Sequence, residues 1–248
     1  MPNRARIAII GNCQAQTLTS LSITLDLPVD PVVLPPVFDR ASFDDDHIRQ
    51  TIESCDYVFN QLVSDSFAVE FVRPDAVKAT FGERAFAWPN IYFDGYFPTV
   101  GYMYAPDGTK VTGPLSDYHF EPILQAWAAD RDPGETWVEL NEGRAPGLSP
   151  TPAEDAFSRL KIRERRADLR ISDFLVERFR HKQLFYSMNH PSNEVMIEML
   201  KRMMTAIDVH MPEPRAINDA MRGFQYTLNA IRLPYFKYIK DRYMIPQS

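Results

Sequence analysis

Cysteine occurs twice in 248 residues, at Cys13 and Cys55. That scarcity excludes a disulfide-stapled scaffold and any metal site of the four-cysteine kind, so no metal is expected. No run of about 18 apolar residues is present, so no membrane span is expected either. Positive charge is in the minority: 27 Lys and Arg stand against 33 Asp and Glu, a net charge of −6, which argues against broad nucleic-acid binding. The first apolar run is Ile7-Ala8-Ile9-Ile10, too short for the core of a signal peptide, and a cytoplasmic location is expected. A Walker loop and a Gly-x-Gly-x-x-Gly turn are both missing, which sets aside ATP or NAD binding by those modes. Glycine is scarce too, with 10 residues against 20 prolines. That reverses the usual order, and many of the prolines sit in pairs or beside aromatics, which points to rigid, ordered loops.

What is present begins with an alternation of strand and helix. The isoleucine-rich run 6–10 reads as a strand buried on both faces. It ends in Gly11-Asn12-Cys13-Gln14, and a helix follows over 15–25 with Leu18, Leu21 and Leu25 on one face. The pattern predicts a second strand within 30–38, a helix from a capping-box-like start at Ser42 through 53, a third strand over 56–60, a helix over 64–72 stopped before Pro74, and a fourth strand over 85–89. The aromatic stretch 89–114 is read as an ordered loop lining a surface or pocket. Beyond it the chain turns helical: 116–129, a helix opened by Thr151-Pro152-Ala153-Glu154, one capped by Ser192 over 193–207, and a last one over 224–243. Residues 130–150 read as an exposed insertion and 184–188 as a short strand. The expected fold class is α/β, a parallel sheet in the N-terminal half with a helix-rich C-terminal half packed on it. One domain is expected, with an α/β core over 1–115 and a mostly helical part over 116–248.

Cys13 stands where a buried strand turns into a helix. Side chains there leave the carboxyl end of the sheet, where α/β ligand sites form. The N–H groups and dipole at the helix start favour a thiolate and can hold an oxyanion. Cys55 has nothing activating beside it and reads as packing. Of the five histidines, His190, in Asn189-His190-Pro191, is the best candidate base, its backbone restricted by the following proline. His119, read at a helix start after the aromatic loop, is the rival for base or substrate binding. Asn60 and Gln61 close the third strand on the same rim as Cys13, and Asn60 is an expected oxyanion donor. Residues 159–182 hold nine Lys or Arg against four acids; Arg163 and Arg166, in its densest part, are candidates for holding phosphates.

The strand-Gly11-Asn12-Cys13-Gln14-helix unit, the aromatic loop from Trp88-Pro89 to Tyr104, and the late Asn189-His190-Pro191 together resemble the WcbI-type polysaccharide biosynthesis family, over about residues 5–210. The resemblance implies an acetyltransferase of bacterial capsule synthesis that takes coenzyme A or acetyl-CoA as co-substrate and a saccharide as acceptor. The residues themselves put forward Cys13, His190 and Asn60 as catalytic, and with that co-substrate Gly11, Asn12, Gln14, Tyr118, His119, Asn189, Arg163 and Arg166 are expected around the coenzyme. In one version His190 deprotonates Cys13, which carries the acetyl group; in the other, His190 or His119 activates the sugar hydroxyl directly. The chain is also loosely similar to SGNH/GDSL hydrolases, with cysteine in place of serine and Ser187 where their aspartate stands. Two other readings stay open: a cysteine-dependent esterase or deacetylase, and a non-enzymatic carbohydrate- or nucleotide-binding module.

Overall fold

A run of β-branched residues with no polar partner is stable only between two covered faces. In a computed structural model, which describes residues 4–39, 41, 42, 44–224 and 228–245, β1 (Ala5–Ile10) is fully buried from Ile7 onward. The chain divides into two compact units, each discontinuous in sequence: residues 1–91, 161–173 and 193–228 form the first, and 92–160, 174–192 and 229–248 the second.

The first unit carries a four-stranded parallel sheet of β2 (Val29–Val32), β1, β3 (Tyr57–Gln61) and β4 (Ala85–Trp88), in the order β2-β1-β3-β4. Ile7 pairs with Pro31 on one side and Tyr57 on the other, and Asn60 with Ala87. The chain leaves β1 through α1 (Cys13–Thr24) to one neighbour and returns through α2 (Asp45–Glu53) to the other. The direction of winding therefore reverses between β1 and β3, and such a reversal opens a crevice at the carboxyl ends of the strands. Alternation along the strands separates the two helix layers. Ala8, Ile10 and Val58 pack in one apolar cluster with Ile48 and Ile52 of α2 and with Val77 and Phe81 of α3 (Pro74–Phe81). The opposite face carries Ile7, Ile9 and Phe59 and belongs to α1, which in turn contacts α8 (Asn193–Thr205), the helix before α9 (Pro214–Met221). Strand β4 is the sheet edge, and residue 168 covers it. The Ala87 N–H donates to Asp168 Oδ2 at 2.7 Å, and the N–H groups of Asp168 and Leu169 donate to the Ala87 carbonyl. An edge strand left bare would invite pairing with other chains.

The second unit is held by rings. Phe93, Tyr96, Phe97, Phe157, Phe179, Phe185 and Tyr235 form a continuous set of stacked and edge-on contacts. Around them lie α4 (Glu121–Ala128), α5 (Pro133–Asn141), most of α6 (Pro152–Arg163) and of α7 (Ser172–Arg178), and α10 (Lys237–Tyr243). Two small antiparallel pairs complete it: β5 (Val100–Tyr102) with β6 (Tyr118–Phe120), and β7 (Phe185–Ser187) with β8 (His190–Pro191).

Several local expectations are corrected. The segment 64–72 is turns ending in a short 3₁₀ helix (Glu70–Val72), and Pro74 opens α3 rather than closing a helix before it; proline lacks an N–H, and the first helical turn does not need one. Helix α2 is capped by Asp44, whose carboxylate accepts from the His47 N–H, so Ser42 is not its cap. The helix expected from 116 starts at Glu121, after strand β6. The insertion expected over 130–150 contains α5, capped by Asp132 with Pro133 behind it. Glu154 accepts from the Tyr243 hydroxyl rather than closing a capping box. The Ser192 hydroxyl is buried and, among the described residues, has no partner and caps nothing. The helix expected over 224–243 is present only as α10; residues 225–227 lie outside the described residues, and Pro234 lies in the irregular stretch before α10. Among the described residues no helix is long and apolar enough to cross a membrane.

Candidate functional site

In the first unit the turns that follow the strands converge on residues 11–14. Gly11 is there because Gln61 is so close: a Cβ on Gly11 would stand 2.7 Å from Oε1 and 2.8 Å from Cβ of Gln61. The Gly11 carbonyl accepts from the Val37 N–H, at the end of the loop after β2. The Asn12 N–H donates to Gln61 Oε1 at 2.9 Å, and Gln61 Nε2 donates to Gln14 Oε1 at 3.0 Å. Gln14, fully buried, in turn brackets the chain after β4: its Nε2 donates to the Ile91 carbonyl and its Oε1 accepts from the Ile91 N–H. The Asn12 side chain caps α1 by accepting from the Gln14 N–H at 2.9 Å, and its amide reaches Asn90. Cys13 is the first residue of α1, partly exposed on this rim.

This arrangement assigns different work to residues expected to touch a ligand. Gln14 and Gln61 form a buried amide chain that fixes the rim, and the N–H groups of Asn12 and Gln14 are already satisfied by Gln61 and Asn12. Asn60 is 2% exposed and shares the face of Val58, toward α2 and α3. Its Nδ2 donates to the Val72 carbonyl at 3.0 Å while its Oδ1 has no partner among the described residues. Its amide is thus engaged inside the fold, not at the rim where an oxyanion donor was expected. Cys55, 2% exposed, donates weakly to the Thr51 carbonyl, and burial pushes its thiol up to about 11.

In the second unit the residues expected near the reaction cluster around one phenol. Tyr118, 5% exposed on β6, donates to Asn189 Oδ1 at 2.6 Å, and its oxygen lies 3.2 Å from His190 Nε2. Ser187 Oγ also donates to Asn189 Oδ1. The tight β7–β8 turn places Ser187 opposite His190 and so delivers Asn189 and His190 together. Burial holds the His190 imidazole below its usual value, and its Nδ1 is buried with no partner among the described residues. His119 belongs to β6, not to a helix start, and its Nε2 lies 2.8 Å from the Val111 carbonyl, which engages the rival base in a backbone contact.

The basic stretch is less open than its composition implies. Arg166 forms a two-pronged pair with Asp65, and Arg159 pairs with Asp94. Arg163, at the end of α6, is half-buried. Glu164 is buried and accepts from the N–H groups of Ile171 and Ser172 and from the Ser172 hydroxyl. Among the described residues Lys161 and Arg165 are exposed and make no ion pair. Two cavities of the first unit, of about 470 and 660 Å³, are lined by neither Cys13 nor the basic stretch 159–166.

A cysteine opening the helix that follows β1, at the winding reversal of a parallel sheet, defines an α/β protein with a thiol on the carboxyl rim. Residues 6–212 match the family described as "Polysaccharide biosynthesis enzyme WcbI", and the chain belongs to that family. Among solved structures the chain is similar to WcbI, described as a novel polysaccharide biosynthesis enzyme, in its native form without a disulfide bond between coenzyme A and a cysteine. The identity is 22%, the TM-score 0.76, and the match covers 96% of this chain and 80% of that one. At that identity the likeness is one of fold. No curated protein sequence matches the chain.

Proposed function

We propose that the protein is an acetyl-CoA-dependent O-acetyltransferase acting on a sugar of a capsular or extracellular polysaccharide or of a glycolipid precursor. The observation that carries this reading is the position of Cys13, first residue of α1 on the carboxyl rim at the winding reversal. Family membership and the coenzyme A named for the similar WcbI structure support the choice of donor. When bound, acetyl-CoA supplies the activated acyl group. Cys13 would attack the acyl carbonyl and coenzyme A would leave as its thiol; the sugar hydroxyl would then lose its proton, take the acetyl group and free Cys13, with His190, kept neutral by burial, as the proposed base. Lys161 and Arg165, exposed and without an ion pair among the described residues, are the charges of the basic stretch best able to meet phosphates.

Calorimetry with coenzyme A tests the donor: binding is expected, and its absence at millimolar concentration would sink the reading. Release of free thiol from acetyl-CoA, measured with and without a saccharide acceptor, separates transfer from hydrolysis. Turnover of preformed esters alone would make the protein an esterase instead.

A further inference from the structure

His190 carries two ring nitrogens, and only one can act as a base while the other keeps its hydrogen. The geometry points to Nδ1 as the working nitrogen, with Tyr118 and Asn189 as positioning residues that hold the hydrogen on Nε2. This deepens the reading of His190 as the base and rests on it.

The argument is a count of hydrogens. A phenol has one hydrogen to donate. Asn189 Oδ1, a carbonyl oxygen that can only accept, takes it at 2.6 Å. The same oxygen accepts from Ser187 Oγ, so the amide presents its carbonyl side to both hydroxyls. With its hydrogen committed, the Tyr118 oxygen can meet His190 Nε2 at 3.2 Å only as an acceptor, so Nε2 is the N–H. A neutral imidazole then has its lone pair on Nδ1. That atom is buried and has no partner among the described residues, an unmet acceptor that a substrate N–H, O–H or S–H would satisfy. Burial of the ring disfavours the doubly protonated form, so the neutral tautomer is the one that matters near neutral pH. Tyr118 is itself held by strand pairing with Tyr102 and by an edge contact with the imidazole, ring centroids 5.7 Å apart. The chain Ser187–Asn189–Tyr118–His190 thus does through neutral groups what a carboxylate does in a triad: it selects the tautomer and orients the ring.

The test is long-range ¹H–¹⁵N NMR on the full chain labelled at histidine, above pH 7.5, with His190 assigned by its absence in His190→Gln. The expected result is a protonated Nε2 and an unprotonated Nδ1. A hydrogen on Nδ1 would overturn the proposal, because it requires the reversed Asn189 amide and a phenol that donates to the ring. In Tyr118→Phe the ring loses its acceptor, and the tautomer signal should broaden or mix. In the acetyl-transfer assay kcat should fall about tenfold or more, part of the ~10²–10⁴ a placed base supplies, with KM for the acyl donor within about twofold. A Tyr118→Phe protein that keeps the pure tautomer and full kcat would also overturn it. The spectrum of the unmodified chain needs no activity, so failure of the transferase reading leaves the tautomer result standing, and the reverse holds as well.

Discussion

The Asn12 N–H donates to Oε1 of Gln61 at 2.9 Å, and this single bond joins the turn after β1 to the end of β3 across the winding reversal. Gln61 also donates to Gln14, and Gln14 brackets Ile91, so three separate chain segments are positioned by two amide side chains. Replacing Gln61 by leucine keeps its bulk, leaves the Asn12 N–H without its acceptor, and leaves the Gln14 side-chain carbonyl with the Ile91 N–H but no longer with Gln61. The expected loss is about 1–3 kcal/mol for each group left unsatisfied, read as a lower urea midpoint. Unchanged stability in Gln61→Leu would show that the rim is not held by this chain of amides. Gly11→Ala should also destabilise, because its Cβ would collide with Gln61.

The two cysteines should separate by reactivity. Cys13 is partly exposed at the start of α1, whereas Cys55 is 2% exposed with its thiol pushed up to about 11 by burial. Thiolates react and buried neutral thiols do not. A disulfide reagent at pH 7.5 should modify one thiol per native chain and two after unfolding, and Cys13→Ala should abolish the native reaction. Coenzyme A should slow it if the donor meets Cys13. Modification of Cys55 in the native chain at a comparable rate would contradict the placement.

Much of this was readable from local chemistry. The run at 6–10 could only be a doubly buried strand, and the turn at 11–14 follows from it, so the sheet unit and the position of Cys13 were legible. The errors came where one residue type has two uses. Pro74 is compatible both with ending a helix and with opening one, and it opens α3. His119 was read on a helix because 116–129 has helical spacing, yet its first residues pair with β5, a long-range choice that periodicity does not encode. Asn60 was placed on the rim by its position at a strand end, but the two-residue alternation turns it to the α2–α3 face and turns Gln61 the other way. The Tyr118–Asn189 pair was invisible because it joins residues 71 apart in sequence.

Cys55 gives a pH signature of its own. Its folded value lies near 11 against an ordinary 9.0, so the native state keeps a proton that the unfolded chain gives up. Stability from this group is complete below pH 9 and is lost as pH rises from 9 toward 11. The buried phenols Tyr96, Tyr235 and Tyr238 are shifted in the same direction from 10.0 and act above that pH. Between pH 9 and 10 the urea midpoint should therefore fall in the native sequence and fall less in Cys55→Ala, and equal slopes would remove Cys55 as the cause.

His190 should produce the opposite slope at the acid end. Its imidazole is held below 6.5 by burial, and the groups facing it, Tyr118 and Asn189, are uncharged and offer no compensation to a proton. The unfolded chain takes that proton near pH 6.5 and the folded chain only at lower pH. The contribution of the neutral ring to stability is present above 6.5 and is lost as pH falls from 6.5 through the folded value. Urea midpoints compared at pH 7.5 and 5.5 should drop more in the native sequence than in His190→Gln, which cannot be charged. The His190 signal in an NMR titration should have its midpoint below 6.5, and the acid limb of acetyl transfer should follow that midpoint. A His190 midpoint at or above 6.5 would mean that the ring is solvated or charge-paired, and with it the case for a buried neutral base would fail.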